Sequence, residues 1–123
     1  MAFRKPSTDE ARLLEFLGQA ARSSLSPSWT DGLLVEEMSD GGLGSLRLRP
    51  SGVTSEDQVL HKTLAACQFK DADEIEVIVS LYANKSGVPF ELDVWKVDFS
   101  PLARIPEKFQ LLDESDIPAK RGS

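Results

Sequence analysis

Two stretches of the chain alternate hydrophobic and polar residues with a period of two, one from Glu74 to Tyr82 and one from Val88 to Val97. This period is typical of β-strands that bury one face. The apolar positions are Ile75, Val77, Val79 and Leu81 in the first stretch and Phe90, Leu92 and Val94 in the second. A four-residue loop between the stretches predicts a hairpin with the pairs Ala83–Val88, Leu81–Phe90, Val79–Leu92 and Val77–Val94.

A second hairpin is predicted from Leu33–Met38 and Leu43–Leu48, because Asp40-Gly41 between them favours a type I′ turn. That turn aligns Val35 with Leu46 and Leu33 with Leu48. A further strand is predicted over Thr63–Phe69. Beyond it, two prolines five residues apart, Pro101 and Pro106, exclude a central strand or a helix interior.

An amphipathic helix is predicted from Ser7 to about Ser24. Ser7 and Glu10 have the spacing of a capping box, and Gly18 allows close packing of the helix against a sheet. The apolar stripe of this helix consists of Leu13, Leu14, Phe16, Leu17, Ala20 and Ala21. Together these elements predict an α+β fold, with the N-terminal helix packed on an antiparallel β-meander of about five strands. A small curled barrel is the alternative.

The length of 123 residues suits one domain, which we expect over residues 1–112, followed by a polar, frayed tail over 113–123. The net charge of −6 argues against binding to nucleic-acid phosphates, which requires a basic surface. The chain offers one cysteine, Cys67, no secretory signal and no apolar run of membrane-spanning length. We therefore expect a cytoplasmic protein that contacts neither nucleic acid nor membrane.

Candidate catalytic and metal-binding groups are few. His61 and Cys67 lie six residues apart, but spacing alone does not make a dyad, and a buried inert thiol explains Cys67 better. One histidine and one cysteine cannot fill a zinc site without carboxylates. Asp71, Asp73 and Glu74 could contact calcium, yet turn formation explains these acids equally well. No metal or cofactor is expected.

Three other patterns also have ordinary structural explanations. Glu91 and Asp93 could form a glycosidase pair only within a cleft, which a hairpin face does not supply. The glycine-rich stretch 40–44 lacks the Gly-Lys-Ser/Thr ending of a phosphate loop. The cations Arg47, Arg49, Lys62 and Lys70 lack interleaved aromatic residues, so single-stranded nucleic acid is a poor ligand. The sequence does not predict an enzyme.

The polar side of the first hairpin is the candidate functional surface, because it combines carboxylates with aromatic residues. The predicted register places Glu76 opposite Trp95 and Ile78 opposite Asp93. We expect a partner to bind through Glu74, Glu76, Tyr82, Glu91, Asp93 and Trp95. The alternative is that the C-terminal segment from Phe99 to Leu112 covers this surface.

Two sequence motifs carry a resemblance to known proteins: Asp40-Gly41-Gly42-Leu43-Gly44-Ser45-Leu46 and the stretch from Glu91 to Leu102, ELDVWKVDFSPL. With the opening helix, they resemble a family of small bacterial proteins of unknown function over most of residues 3–106. Some members are loosely associated with toxin-immunity loci. The resemblance implies no catalytic residues.

Three hypotheses follow. The first is a non-enzymatic protein-binding domain of the immunity (antitoxin) type, whose acidic-aromatic face docks a basic, toxin-like partner. The second is a small enzyme or ligand-binding domain with a pocket between helix and sheet, lined by Trp29, His61 or Cys67. The third is a homo-dimer formed through the same sheet face.

Overall fold

The computed structural model describes residues 3–22, 25–38, 44–53 and 57–113. These residues form one α-helix and six β-strands. The elements are α1 (Thr8–Ala20), β1 (Leu34–Glu37), β2 (Leu46–Arg49), β3 (Lys62–Lys70), β4 (Glu76–Ala83), β5 (Pro89–Lys96) and β6 (Gln110–Leu111). The predicted α+β class is confirmed.

The capping box starts α1 at the predicted position. The Ser7 hydroxyl accepts a hydrogen bond from the Glu10 amide, and the Glu10 carboxylate accepts one from the Ser7 amide. The helix ends at Ala20, before the predicted end at about Ser24. The close contact at Gly18 is not with the sheet, as predicted, but with the indole of Trp29, which occupies the place of a Cβ atom.

The strands form one antiparallel sheet in the order β1-β2-β5-β4-β3-β6. Two groups of sequential neighbours make up this sheet, the hairpin β1–β2 and the meander β3–β4–β5. They join through β2 and β5, so the strand order departs from a single meander at this point. The sheet is open, because β1 and β6 lie at opposite edges. Next to β1, Arg4 exchanges backbone hydrogen bonds with Val35.

The predicted register of the β4–β5 hairpin is wrong by two residues. Leu81 pairs with Leu92 and Val79 with Val94, and Val77 lies opposite Lys96. The cause is an irregularity near the loop, where Tyr82 pairs with Glu91 but Ala83 pairs with Pro89, which leaves Phe90 as an extra residue. A shift by two residues keeps the paired side chains between Val77 and Tyr82 and between Glu91 and Lys96 on their predicted faces of the sheet.

The β1–β2 hairpin shows the same kind of error. Val35 pairs with Leu48 and Glu37 with Leu46, which is a shift of two residues from the predicted alignment. The Met38 amide donates to the Ser45 carbonyl and closes the described part of the hairpin. The predicted type I′ turn at Asp40-Gly41 lies outside the described residues.

The core lies between α1 and the inner face of the sheet, which is the face turned toward the helix. Leu13, Leu14 and Leu17 of α1 are fully buried. The strands contribute Val35, Leu46, Leu48, Ala65, Cys67, Phe69, Val77, Val79, Leu81, Leu92 and Val94. Burial of each valine, leucine or phenylalanine side chain among these stabilises the folded state by about 1.5–3 kcal/mol.

The segment after β5 returns across the edge of this core. Leu102, Ile105 and Phe109 pack against the core cluster, and the Phe109 ring contacts those of Phe16 and Phe69. The chain then pairs with β3 as β6, and the Leu112 amide donates to the Ala66 carbonyl. Of the predicted frayed tail, 113–123, all residues beyond Asp113 lie outside the described part.

Candidate functional site

The outer face of the sheet, which is turned away from α1, carries five of the six predicted partner-binding residues. Across β4 and β5, Ile78 pairs with Trp95, Ser80 with Asp93 and Tyr82 with Glu91. The pairs Glu76–Trp95 and Ile78–Asp93 expected from the sequence do not form, because of the two-residue register shift. Glu74 lies outside the sheet, in the turn before β4, at a φ of 69°.

Two of the predicted binding residues are buried within this face. Tyr82 is 2% exposed and Asp93 is 6% exposed. The Tyr82 hydroxyl lies 3.5 Å from the Asp93 carboxylate. Burial raises the pKa of Tyr82, and the negative charge of Asp93 raises it further. These two side chains form the interior of the outer face, and a partner can contact only the residues around them.

The accessible part of the outer face lies toward the end of β5. Trp95 and Ile78 are half-buried, and the exposed Val97 donates its amide to the carbonyl of exposed Glu76. The Phe99 ring is 64% exposed and lies 6.3 Å from the Trp95 ring, between centroids. We refer to Glu76, Ile78, Trp95, Val97 and Phe99 as the outer-face patch.

The sequence leaves open whether the C-terminal segment from Phe99 to Leu112 covers Trp95. Among the contacts described for this segment, only that of Phe99 is with Trp95. Leu102, Ile105 and Phe109 pack instead against the core cluster beneath the inner face. The Trp95 indole nitrogen is buried, and it has no hydrogen-bond partner in the described part of the chain. The outer-face patch is therefore a mixed aromatic and acidic surface rather than a fully solvated one.

A buried lysine lies behind the patch and fixes the chain that follows β5. Lys96 is 1% exposed and points to the inner face, opposite Val77. Its ammonium lies 2.9 Å from a carboxylate oxygen of Asp71 and 2.6 Å from one of Asp73. These hydrogen bonds raise the pKa of Lys96, with the bond to Asp73 contributing most. The lysine is therefore charged at neutral pH.

Asp71 connects this lysine to the returning C-terminal segment. Its carboxylate accepts hydrogen bonds from the amides of Ala103 at 2.7 Å, Arg104 at 3.0 Å and Ala72 at 2.6 Å. Burial raises the pKa of Asp71, but these amides and the Lys96 ammonium outweigh it and lower the pKa to about 2. Asp71 is thus an ionised carboxylate with several donors, which suits a structural role.

Phe99 is held in a conformation that costs energy. Its φ is 62°, in the left-handed region that bulky residues rarely adopt. The Phe99 amide donates to the Lys96 carbonyl at 2.8 Å, and the Asp98 carboxylate accepts from the Ser100 amide and hydroxyl. The exposed ring is therefore presented by a turn whose first residue is the buried lysine.

The structure does not bring together the residues expected around a helix–sheet pocket. Trp29 and His61 line separate cavities of about 280 and 210 Å³. Cys67 is fully buried in the core, and burial raises the pKa of its thiol to about 12. His61 is exposed and six residues away, or about 20 Å along an extended chain. The thiol is therefore protonated at neutral pH and remote from the histidine.

The carboxylates considered for metal or sugar chemistry have other roles. Asp71 and Asp73 bind the Lys96 ammonium rather than presenting free ligands. Asp93 is too buried to reach a sugar substrate beside Glu91. Within the described ranges, no group of three or more histidine, cysteine, aspartate or glutamate side chains has metal-binding geometry.

The four cations considered for nucleic-acid binding, Arg47, Arg49, Lys62 and Lys70, do not lie together in one stripe. Arg47 lies 3.3 Å from the Glu36 carboxylate, and the guanidinium of Arg49 lies 3.9 Å from the centroid of the Phe3 ring. Lys62 and Lys70 stand at opposite ends of β3. The cations are thus dispersed over the sheet.

A groove of about 1150 Å³ runs along the flank of α1, away from the outer face. Its apolar walls include Phe16, Phe109 and Leu111.

The helix itself has 13 residues, and no helix in the described part of the chain is long and apolar enough to cross a bilayer.

Sequence reasoning missed the two residues that organise this site, Lys96 and Phe99. Lys96 falls on the apolar side of the alternation in β5, next in phase after Leu92 and Val94. That position is the signal that predicts a buried lysine, which then requires carboxylates nearby. Phe99 follows the strand and carries no periodic signal.

Comparison with known proteins identifies the family of this chain. Neither curated proteins nor solved structures yield a similar chain. The model of one protein family, described as a domain of unknown function (DUF6984), matches residues 3–106, from the residues before α1 into the segment that follows β5. The matched range includes the outer-face patch and the Lys96 cluster. The chain therefore belongs to the DUF6984 family.

Proposed function

We propose that this domain is a non-enzymatic protein-binding module that docks a basic surface of a partner protein on its outer-face patch. The observation that carries the proposal is the exposed Phe99 ring beside the half-buried Trp95, next to the exposed carboxylate of Glu76. Apolar side chains exposed among charges are typical of binding surfaces.

The charge of the molecule supports a basic partner. The net charge is −6, and Glu74 and Glu76 are both exposed at the end of the sheet that carries the patch. Opposite charge on a partner accelerates encounter and orients it, while the aromatic rings supply most of the contact energy.

The kind of partner follows from the resemblance of the chain to proteins near toxin-immunity loci. An immunity protein needs no catalytic group, because it acts by occupying a toxin surface. The dispersed histidine and cysteine and the engaged carboxylates agree with such a role. We therefore propose an antitoxin that binds a cationic toxin.

Affinity capture with matched variants tests this proposal. Immobilised wild-type protein, the double variant Glu76→Lys/Trp95→Ala and the control variant Val59→Ala are compared in low salt. Val59 is 72% exposed in the loop before β3, so the control removes an apolar side chain far along the chain from the patch. We expect a basic protein to be retained by the wild type and the control and lost by the double variant.

Two results would contradict the proposal. One is retention of the same partner by all three proteins, which would place the contact elsewhere. The other is a mass that doubles with concentration in light scattering and reverts to the monomer in the double variant. That second result would make the partner another copy of this chain.

A further inference from the structure

The corner between Trp95 and Phe99 has the composition of a cation-binding site. The two rings are tilted by 50° with centroids 6.3 Å apart, and both retain solvent-exposed surface. The faces of aromatic rings attract cations within about 6 Å of the ring centroid. An exposed pair of this kind therefore offers a surface on which a guanidinium or ammonium group can rest.

Two carboxylates adjoin this corner, one in the turn after β5 and one on β4. Asp98 precedes Phe99 and is exposed, and Glu76 lies across from Val97 on β4. The Ser100 hydroxyl and amide hydrogen-bond to Asp98 and lower its pKa, so that it carries a full charge at neutral pH. On β3, Lys70 lies opposite Glu76, and the charge of Lys96 also contributes to the lowered pKa of Asp98.

The corner is also preorganised. Phe99 adopts a left-handed φ of 62°, and the turn that holds it begins at Lys96, whose ammonium is fixed by Asp71 and Asp73. Because the Phe99 ring is exposed, its burial contributes little free energy to offset the cost of this backbone conformation. Strain that is maintained at an exposed aromatic residue is typical of a surface shaped for a ligand.

We infer that the Trp95–Phe99 corner binds an arginine side chain of the partner, with the guanidinium against the rings and the carboxylates of Asp98 and Glu76 at its edge. Arginine suits this geometry better than lysine, because its planar group stacks on aromatic faces and is more weakly hydrated. This inference rests on the proposed function and names the chemical group that the surface recognises.

The test is a titration of the isotope-labelled full chain, followed by nuclear magnetic resonance, with an end-blocked tetra-arginine peptide and its tetra-lysine counterpart. We expect the Trp95 indole resonance and the Phe99 amide resonance to shift. The indole of Trp29, which lies over Gly18, is the internal control and should not move. The variant Trp95→Phe assigns the indole resonances.

The variant Phe99→Ala should weaken binding of the arginine peptide by about two- to fivefold, which is the size of one cation–π contact at an exposed site. The control Val59→Ala should leave the affinity unchanged. The retained spectrum of each variant shows whether it remains folded. Wild-type protein should also bind the arginine peptide more tightly than the lysine peptide.

Equal affinities for the two peptides, unaltered by Phe99→Ala, would overturn the arginine site. If Glu76→Lys still abolished binding of both peptides, the result would agree with a general acidic docking face. The arginine site and the proposed docking function can therefore be rejected independently. Absence of any shift at Trp95 and Phe99 with either peptide would also overturn the inference, while capture of the partner decides the proposed function independently.

Discussion

At the scale of single residues, two non-glycine positions adopt left-handed backbone conformations within the described ranges, and they invite different experiments. Glu74, at a φ of 69°, lies in the exposed turn between β3 and β4. Phe99, at 62°, presents its ring to solvent at the end of the outer-face patch. Such a conformation costs about 1–2 kcal/mol in any residue with a Cβ atom.

Replacing Glu74 by glycine should therefore stabilise the protein. The gain from relieved strain exceeds the entropic cost of glycine in the unfolded chain, and we expect a net increase of about 0.5–1 kcal/mol in the free energy of unfolding. Urea denaturation measures it. The matched variant Glu76→Gly, within β4, should lose a similar amount, and a gain in both would contradict this explanation.

Gly18 is required by its contact with Trp29 rather than by its backbone. Alanine favours helices by about 1 kcal/mol over glycine, yet Gly18→Ala places a methyl group where the Trp29 indole lies. We expect a net loss of about 1–3 kcal/mol in stability, with a shift of tryptophan fluorescence toward the solvent-exposed value. The exposed neighbour Gln19 gives the control, since Gln19→Ala should change stability by less than about 0.5 kcal/mol.

At the scale of elements, the alternation in β4 and β5 predicts the two faces of the hairpin but not its register. A shift by two residues leaves Val79 and Leu92 on the inner face and Glu91 and Asp93 on the outer face. The pattern therefore cannot distinguish the two alignments. The extra residue Phe90, next to Pro89, sets the register, and an irregularity of this kind leaves no periodic signal in the sequence.

The sequence predicts the candidate site only in part, as it predicts the faces but not the register of the hairpin. The face that carries Glu76 and Trp95 follows from the period of two, because alternate residues share a face of the sheet. The burial of Tyr82 and Asp93 does not follow, since it depends on the neighbours that each residue meets across the strands. The role of Phe99 could not be predicted from periodicity, because Phe99 lies in a turn after the periodic stretch ends.

The turn between β3 and β4 is joined to the C-terminal segment by Asp71, and this connection should depend on pH. The pKa of Asp71 in the folded protein, about 2, lies below its ordinary value of 3.8. The carboxylate therefore contributes stability above about pH 4, and this contribution is lost as the pH falls toward 2.

We expect Asp71→Asn to destabilise the protein at neutral pH and to remove this part of the acid dependence. The difference in unfolding free energy between wild type and variant should shrink between about pH 4 and pH 2. Asp73→Asn is the control, because half of the Asp73 side chain is exposed and water can replace its contact with Lys96. An equal loss in both variants, constant with pH, would contradict the proposed role of Asp71.

At the scale of the whole molecule, α1 covers the inner face of the sheet, whereas the described residues leave part of the outer face accessible. The net charge of −6 makes long-range attraction to a basic partner strong at low ionic strength. In the proposed complex, the carboxylates near the patch would govern the association rate, and the Trp95–Phe99 corner would govern the dissociation rate.

Binding to a basic partner should therefore weaken as salt is added. Because the Debye length falls from about 30 Å at 0.01 M to about 10 Å at 0.1 M ionic strength, the association rate should fall and the dissociation rate should change little. Surface plasmon resonance separates the two rates. Phe99→Ala should instead raise the dissociation rate. An effect of Phe99→Ala on the association rate alone would contradict the separate roles proposed for the carboxylates and the aromatic rings.

Site-specific photo-crosslinking in cells tests the binding surface most directly. A photoreactive phenylalanine analogue replaces Val97 within the outer-face patch in one protein and Val59 in a second, matched protein. We predict a crosslinked adduct with a basic protein from position 97 and none from position 59. Adducts from position 59 alone would contradict the account and place the partner on another surface of the domain.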